Sequence, residues 1–250
     1  MRPASEVIKA FATLPLADLD RISPTGTTLI VAPHPDDESL GCAGYIAESC
    51  ARGRHPVVVV MTDGTASHPS SPTYPPDRLR ALREHETRVA LSILGLSAER
   101  SHFMRLRDSA MPPGGGPFDA AVSELRRFAL AYQCKTILAP WLYDPHCDHE
   151  TAQIMVRAAV KGLEVAIYSY PVWGWLLPAE QPIAEGMIEG WRLNIAAHVD
   201  RKRRAIASHQ SQNSDLISDD PDGFRLPAEL LSTFERPYEA LIRTYVHDRS

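Results

Sequence analysis

Short runs rich in β-branched residues alternate with longer stretches of helical periodicity over the first 170 residues, and that alternation leaves few folds open. TTLIVA (27 to 32) is followed by ESLGCAGYIAESCARG, and PVVVVMT (56 to 62) by PDRLRALREHETRVALSILGL. In the second of these helical stretches Leu79, Leu82, Val89, Ile93 and Leu96 keep roughly helical spacing. SHFMRL then leads into AAVSELRRFALAYQ, TILAPW (136 to 141) into a helix from about Asp148 to Gly162, and EVAIYSY follows. The pattern predicts an α/β protein with a Rossmann-like, mostly parallel sheet and helices on both faces. A chain of 250 residues suits a single domain, here 1–250. Two segments, TASHPSSPTYPPD (65 to 77) and MPPGGGP (111 to 117), are too rich in proline and glycine for regular elements and are expected as loops. The first, near the end of the second strand, suits a lid or specificity loop. Beyond about residue 170 the pattern is less legible: WRLNIAAHV suits a strand and DRKRRAIASHQSQ a helix. The segment 213–250 is expected to pack on a motif-bearing core of about 27–212.

Where the first strand ends, APHPDDESLG (32 to 41) crowds one histidine, one proline and three consecutive acids. Carboxylates this close raise one another's cost of ionisation unless something positive sits among them, and a bound cation is the simplest answer. The acids could instead only cap a helix N-terminus. A second polar cluster, DPHCDHE (144 to 150), also follows a strand and precedes a helix, the place where ligands gather in open α/β sheets. Pro35 fixes its own φ as the chain turns into a helix, so His34 and Asp37 can converge while Asp36 is separately aimed. His146 and His149 are three residues apart and can reach a common point. One of them with His34 and Asp37 makes a two-histidine, one-carboxylate set that suits catalytic zinc with a position open to water, and equally non-haem Fe(II). Cys147 invites a Cys-His nucleophile reading, but a thiolate beside a catalytic metal binds it sooner than it attacks. The remaining histidines, His55, His68, His85, His102, His198 and His247, are individually uninformative. The first strand lacks the G-x-G-x-x-G turn that dinucleotide binding needs.

Composition narrows the partners. With 44% hydrophobic residues, 23% charged residues and a formal charge of -5, no basic excess points to nucleic acid or anionic lipid. No run approaches the roughly 18 to 20 apolar residues of a membrane span, and the N-terminus carries no clear cleavage site, so no membrane association and a cytoplasmic location are expected. Four cysteines without a CxxC pair are expected as reduced thiols.

These residues resemble the PIG-L/LmbE-like N-acetylglucosaminyl deacetylase family, zinc-dependent enzymes that remove acetyl groups from N-acetylated sugars. PHPDDE resembles the signature (A/P)HPDDE, TDG (62 to 64) follows the second strand, and RxxE at Arg83 and Glu86 leads into LG at 94 and 95. LRD (106 to 108) sits where members often have LPD, DPHCDHE matches an HxDH element, and KRRAIASHQSQ (202 to 212) resembles K-x-x-A-L-x-x-H-x-S-Q. The resemblance implies that His34, Asp37 and His149 bind Zn2+, with Fe2+ or Co2+ as alternatives, and that Asp36 is general base on a zinc-bound water. His146 would stand protonated near the scissile carbonyl and hold the oxyanion, while Asp148 would orient an imidazole. Arg83 and Asp108 would meet substrate hydroxyls, although an arginine on a charged helix face is as readily solvated or paired, here with Glu86. Cys147 and Arg107 replace prolines of the family pattern, and Asp144 stands where some members have tyrosine; neighbouring Tyr143 is then the candidate to assist the oxyanion. His209 to Gln212 reads as structural, packing its helix beneath the metal loop. Within YPVWGW, Tyr170, Trp173 and Trp175 are expected in the core, with a sugar-stacking face as the alternative. The implied function is zinc-dependent removal of the N-acetyl group from a GlcNAc-containing small molecule or glycoconjugate, with a small-molecule amino sugar as partner and homo-oligomerisation possible. Rivals are a zinc amidase for a larger acyl or thiol-conjugate amide, and a non-catalytic sugar-binding protein.

Overall fold

The computed structural model describes residues 1–245. Eight strands form one sheet: β1 (Leu16–Ala17), β2 (Thr27–Ala32), β3 (Val57–Thr62), β4 (Ser101–Leu106), β5 (Cys134–Pro140), β6 (Ala166–Tyr170), β7 (Gly190–Asn194) and β8 (Tyr238–Thr244). Their spatial order is β1-β7-β8-β6-β5-β2-β3-β4, and only β8 runs antiparallel to its neighbours.

The continuous apolar runs are explained by cover on both faces. Along β3, Val58 and Val60 enter one core, while Val57, Val59 and Met61 enter the other; Ile30 and Ala32 of β2 divide from Leu29 and Val31 in the same way. The first core is closed by α2 (Asp37–Ala51), α3 (Pro76–Ile93) and α6 (Val199–Ala207), which supply Ile46, Leu91 and Ile206 among others. The second is closed by α4 (Gly115–Ala131) and α5 (Cys147–Ala159), through Leu125, Phe128 and Met155. A smaller cluster seats α1 (Ala4–Thr13), through Val7 and Phe11, against Trp141 and Ile242.

Two segments depart from expectation. The helix α4 begins inside the expected loop 111 to 117, because Pro117 falls in its first turn, where the amide it lacks has no intrahelical partner. The segment after residue 212 does more than pack on the sheet: β8 inserts between β6 and β7 and pairs with both. Residues 246 to 250, including His247, lie outside the described residues.

Strand β2 is the switch point of the sheet. From it the chain proceeds outward to β3 and β4, then crosses back to β5 on the other side, so the loops leaving β2 and β5 splay apart and open a crevice. The loop ends are tied together by main-chain bonds, Thr62 N–H to Pro33 O at 2.9 Å and Asp63 N–H to Leu106 O at 2.8 Å.

Candidate metal centre and its cavity

The turn after β2 is shaped by its own acids. Glu38, wholly buried, accepts from the Asp36 N–H at 3.1 Å, and Asp37 Oδ2 reaches back to accept from the His34 N–H at 2.9 Å. That fold-back leaves Asp37 Oδ2 3.2 Å from His34 Nδ1 and 3.2 Å from His149 Nε2. His149, on the first turn of α5, is completely buried, and its Nδ1 lies 2.9 Å from Asp144 Oδ2. Its Nε2 has no hydrogen-bond partner. A buried imidazole with one nitrogen satisfied by a carboxylate and the other orphaned, facing a second histidine and a carboxylate, is the donor arrangement of a divalent cation site. The ligating atoms of His34, His146 and His149 lie within 4.8 Å of one another, so His146 borders the same point.

Electrostatics tell the same story. Burial would lower the pKa of His34, yet hydrogen bonds that its ring donates to Asp108, Asp148 and Asp37 hold it well above the ordinary histidine value. Against the same burial penalty, Asp37 and Asp144 push His149 up to about 9. Burial would raise the Asp37 carboxyl, but His149 and His34 hold it well below the usual range. Protons on the two histidines serve here as counter-charge for the acids, a role a divalent cation takes by displacing them.

Asp36 points elsewhere, as expected from the turn. Its Oδ2 accepts from Arg83 Nη2 at 3.2 Å, and Arg83 also donates to Pro35 O at 3.0 Å and Gly64 O at 2.8 Å. Arg83 is therefore neither solvated nor paired with Glu86, which instead accepts from the Ser211 N–H and hydroxyl at 2.8 and 2.6 Å. Arg83, 3% exposed, lines the cavity and directs Nη1 and Nη2 at those three protein acceptors, while its buried Nε has no partner. Burial lifts the Asp36 carboxyl to about 6, with Arg83 pulling the other way. The glycine of TDG is needed for this clamp: Gly64 has φ +68°, and a Cβ there would stand 2.8 Å from Arg83 Nη1.

Asp148 does orient an imidazole, that of His34, from 3.2 Å, and it accepts from the Ser109 and Met111 amides at 2.7 and 3.1 Å. Asp108 lines the cavity with Oδ1 3.3 Å from His34 Nε2, while its Oδ2 accepts from the Ala66 N–H at 2.9 Å. His146 caps α5: its Nδ1 accepts from the Asp148 N–H at 3.2 Å. Burial and the neighbouring charges of His34 and His149 hold its pKa down to about 4. With Nδ1 accepting from the Asp148 amide, the N–H of a neutral His146 ring is on Nε2. The expectation for Tyr143 is corrected. Its hydroxyl donates to Ala184 O at 2.9 Å, its ring sits edge-on to Trp141, and it is not part of the cavity wall.

The residue that sequence reasoning passed over is Asp144. Besides His149 it accepts from the amides of Val172 at 3.0 Å, Trp173 at 3.2 Å and Gly174 at 2.6 Å. Gly174 permits that approach, since a Cβ would lie 2.7 Å from Asp144 Oδ1. The signal was a carboxylate just ahead of a ligand histidine, where orienting acids belong. Cys147 is exposed, its thiol pKa pushed up by burial and Asp148, so it is no activated nucleophile. His209 Nε2 lies 3.0 Å from Ser39 Oγ and 3.3 Å from Glu38, bracing the turn from below as expected.

Over the centre lies a cavity of about 390 Å³ whose walls include Asp36, Asp108, His146, Gln212, Trp173 and Phe224. Tyr170 is buried in the core, and Trp175 is packed against Phe11 and Arg236, so of the three aromatics only Trp173 reaches the cavity. The loop 65 to 77 is pinned: Asp219 accepts from Ser71 Oγ at 2.6 Å and Thr73 N–H at 3.0 Å, and Asp220 from Ser70 N–H at 2.8 Å. It forms a fixed wall of the cavity through Ala66 and Ser67.

A family profile described as "PIG-L: GlcNAc-PI de-N-acetylase" matches residues 29–160, which contain this entire cluster. The chain belongs to the PIG-L family. It is an enzyme of that de-N-acetylase class, a hydrolase of amide bonds. A curated relative, the 1D-myo-inositol 2-acetamido-2-deoxy-alpha-D-glucopyranoside deacetylase of Rhodococcus erythropolis, is 26% identical over 238 residues, covering 74% of this chain and 80% of that protein. The N,N'-diacetylchitobiose deacetylase of Pyrococcus horikoshii superposes with a TM-score of 0.67 at 17% identity, covering 97% of this chain and 90% of that one. The 4-carboxy-2-hydroxymuconate hydratase of Pseudomonas putida KT2440 has a TM-score of 0.57 at 20% identity, covering 74% and 78%. At such identities the structural likeness concerns the fold alone, and the fold hosts more than one chemistry.

Proposed function

We propose that this protein is a divalent-metal-dependent, zinc-using N-deacetylase that removes the acetyl group from a GlcNAc-containing small molecule or glycoconjugate. The observation that carries the reading is the orphaned His149 Nε2, aimed with His34 at Asp37 Oδ2, with the Asp36 carboxylate bordering the same cavity. The relatives named for amino-sugar deacetylation support the substrate class. Cysteines that are all unpaired fit a reducing, cytoplasmic setting. Among the described residues no helix is long and apolar enough to cross a membrane.

His34, Asp37 and His149 would hold the cation, which when bound supplies Lewis-acid polarisation of the amide carbonyl and acidifies water. Asp36 takes a proton from the attacking water and returns it to the departing amine. A buried carboxyl near 6 is poised for both directions at neutral pH. Arg83 fixes that carboxylate and keeps it ionised against burial. The neutral His146 donates from Nε2 to the oxygen that gains negative charge, its orientation set by the Asp148 amide on Nδ1. Asp148 and Asp144 position His34 and His149 respectively.

The test is amine release from N-acetylglucosamine and its simple glycosides, using chelator-stripped protein with and without added Zn2+, beside Asp36→Ala and a panel of longer acyl amides. Zinc-restored release that the variant lacks, at unchanged metal content, is expected. Release only from longer acyl chains would replace the substrate class. No release from any amide by metal-loaded protein would remove the catalytic reading and leave a sugar-binding protein.

A further inference from the structure

The cavity has two unlike halves. Its floor is polar and acidic, with Asp36, Asp37 and Asp108; its outer wall is Trp173, Phe224 and Leu226. Trp173 and Phe224 meet edge to face, with ring centroids 5.9 Å apart and planes at 65°, making an open aromatic corner. Phe224 is 38% exposed although it is a large apolar side chain. The backbone at both rings is anchored. The Trp173 amide donates to Asp144, the carboxylate that also orients His149, and the Phe224 amide donates to Ser67 O at 2.7 Å. The corner therefore stands in fixed register with the metal centre.

Positive charge in the wall is outnumbered by acids. Arg83 is its one lysine or arginine among the described residues; Nη1 and Nη2 donate to Gly64 O, Pro35 O and Asp36, while the buried Nε has no partner. Arg225, next to Phe224, is paired with Asp215 and donates to Ile217 O. The exposed Arg107 flanks Asp108 but lies outside the wall. Three wall carboxylates against one arginine and a divalent cation leave the charge at best balanced, which disfavours a phosphate.

We propose that Trp173 and Phe224 form an aglycone subsite: the substrate is an uncharged N-acetylglucosaminide whose anomeric substituent is apolar, and phosphate-linked N-acetylglucosaminides are disfavoured. This rests on the deacetylase reading for its sugar, while the aromatic corner and the excess of wall carboxylates carry the rest. Aromatic rings take flat apolar groups at low entropic cost, and an edge-to-face pair presents two contact planes to one substituent.

The experiment compares methyl and phenyl N-acetyl-glucosaminides and N-acetylglucosamine 1-phosphate on the Zn2+-reconstituted protein. It reads kcat/KM for amine release and, separately, equilibrium affinity by calorimetry. The anomeric substituent sits on the carbon next to the one that bears the amide but is not the group that departs, so a difference between phenyl and methyl reports binding rather than leaving-group chemistry. Expected is a phenyl-to-methyl ratio of about 10 in both readouts, with the 1-phosphate below the methyl glycoside. In Phe224→Ala the ratio falls towards one, and in Phe224→Leu it is intermediate; a melting curve verifies that each variant is folded. A ratio near one in the parent protein, a ratio unmoved by Phe224→Ala, or preference for the 1-phosphate would each overturn the subsite. If no glycoside releases amine, the deacetylase reading fails, and the affinity ratio alone decides the subsite.

Discussion

Replacing Asp144 by asparagine separates the roles of that carboxylate, because its two oxygens serve different partners. Oδ2 takes His149 Nδ1 at 2.9 Å together with the Val172 and Trp173 amides, whereas Oδ1 takes the Gly174 amide at 2.6 Å. Asparagine keeps one acceptor oxygen, which can face His149, and turns the other position into a donor opposed to the Gly174 N–H. Losing one charge-assisted bond and leaving a buried amide unsatisfied costs roughly 2 to 3 kcal/mol. For a chain of this size that lowers Tm by about 5 to 10 °C. The loss of full negative charge beside His149 weakens the basicity of Nε2, and such orienting partners are worth about 10- to 100-fold in metal affinity. Metal-conferred stabilisation then shrinks by about 1.4 to 2.7 kcal/mol at a fixed zinc concentration. Melting curves on stripped protein isolate the first effect, and chelator competition for Zn2+ isolates the second. Unchanged Tm with zinc affinity within two-fold of the parent would refute the assignment of Asp144 as the support of His149.

Other substitutions probe the remaining contacts. His149→Ala should abolish stoichiometric zinc binding, whereas His146→Ala should retain zinc and lose amine release by about 10²-fold or more; zinc content by atomic absorption distinguishes them, and the reverse pattern would exchange the two histidines' roles. Gly64→Ala places a Cβ 2.8 Å from Arg83 Nη1 at a backbone φ of +68° and should cost about 1 to 3 kcal/mol in denaturant unfolding; a neutral result would deny the clamp. Lys202→Met strands Glu239, which otherwise holds Lys202 Nζ at 2.7 Å and the Gly44 and Tyr45 amides at 2.7 and 2.8 Å. Removing that buried cation should cost about 3 to 5 kcal/mol, and adding Glu239→Gln should recover part of it; additive losses in the double variant would show that the pair is not coupled.

The parallel half of the fold was readable because each of its strands is specified by its own residues. VVVVMT is apolar throughout since both faces are covered, and no partner is needed to recognise it. Strand β8 carries a more polar run, YEALIRT, and becomes a strand by filling the slot between β6 and β7, a condition set by elements far away in sequence. The same division runs through the site. His34, Asp37 and His149 were legible because a cation demands particular side-chain chemistry, and Asp36 because it accompanies them in one motif. The contacts of Arg83 and Asp144 were not legible because their partners are largely backbone groups: the carbonyls of Pro35 and Gly64 for one, the amides of Val172 to Gly174 for the other. A backbone amide has no residue signature, so only the path of the chain reveals that it converges on a carboxylate.

Tyr143 and Asp144 make the point physically. They are adjacent in one turn, and the sequence offers only Tyr143 as a candidate; the turn sends the phenol outward to Ala184 O and the carboxylate inward to His149. Asp144 then couples what the motif specifies to what it does not, because the carboxylate that orients a metal ligand also fixes Trp173 in the cavity wall. A change in the loop after β6 should therefore be felt at the metal, and a change at Asp144 should be felt by any group resting on Trp173. On the proposed reading, chemistry and substrate selection share one buried acid.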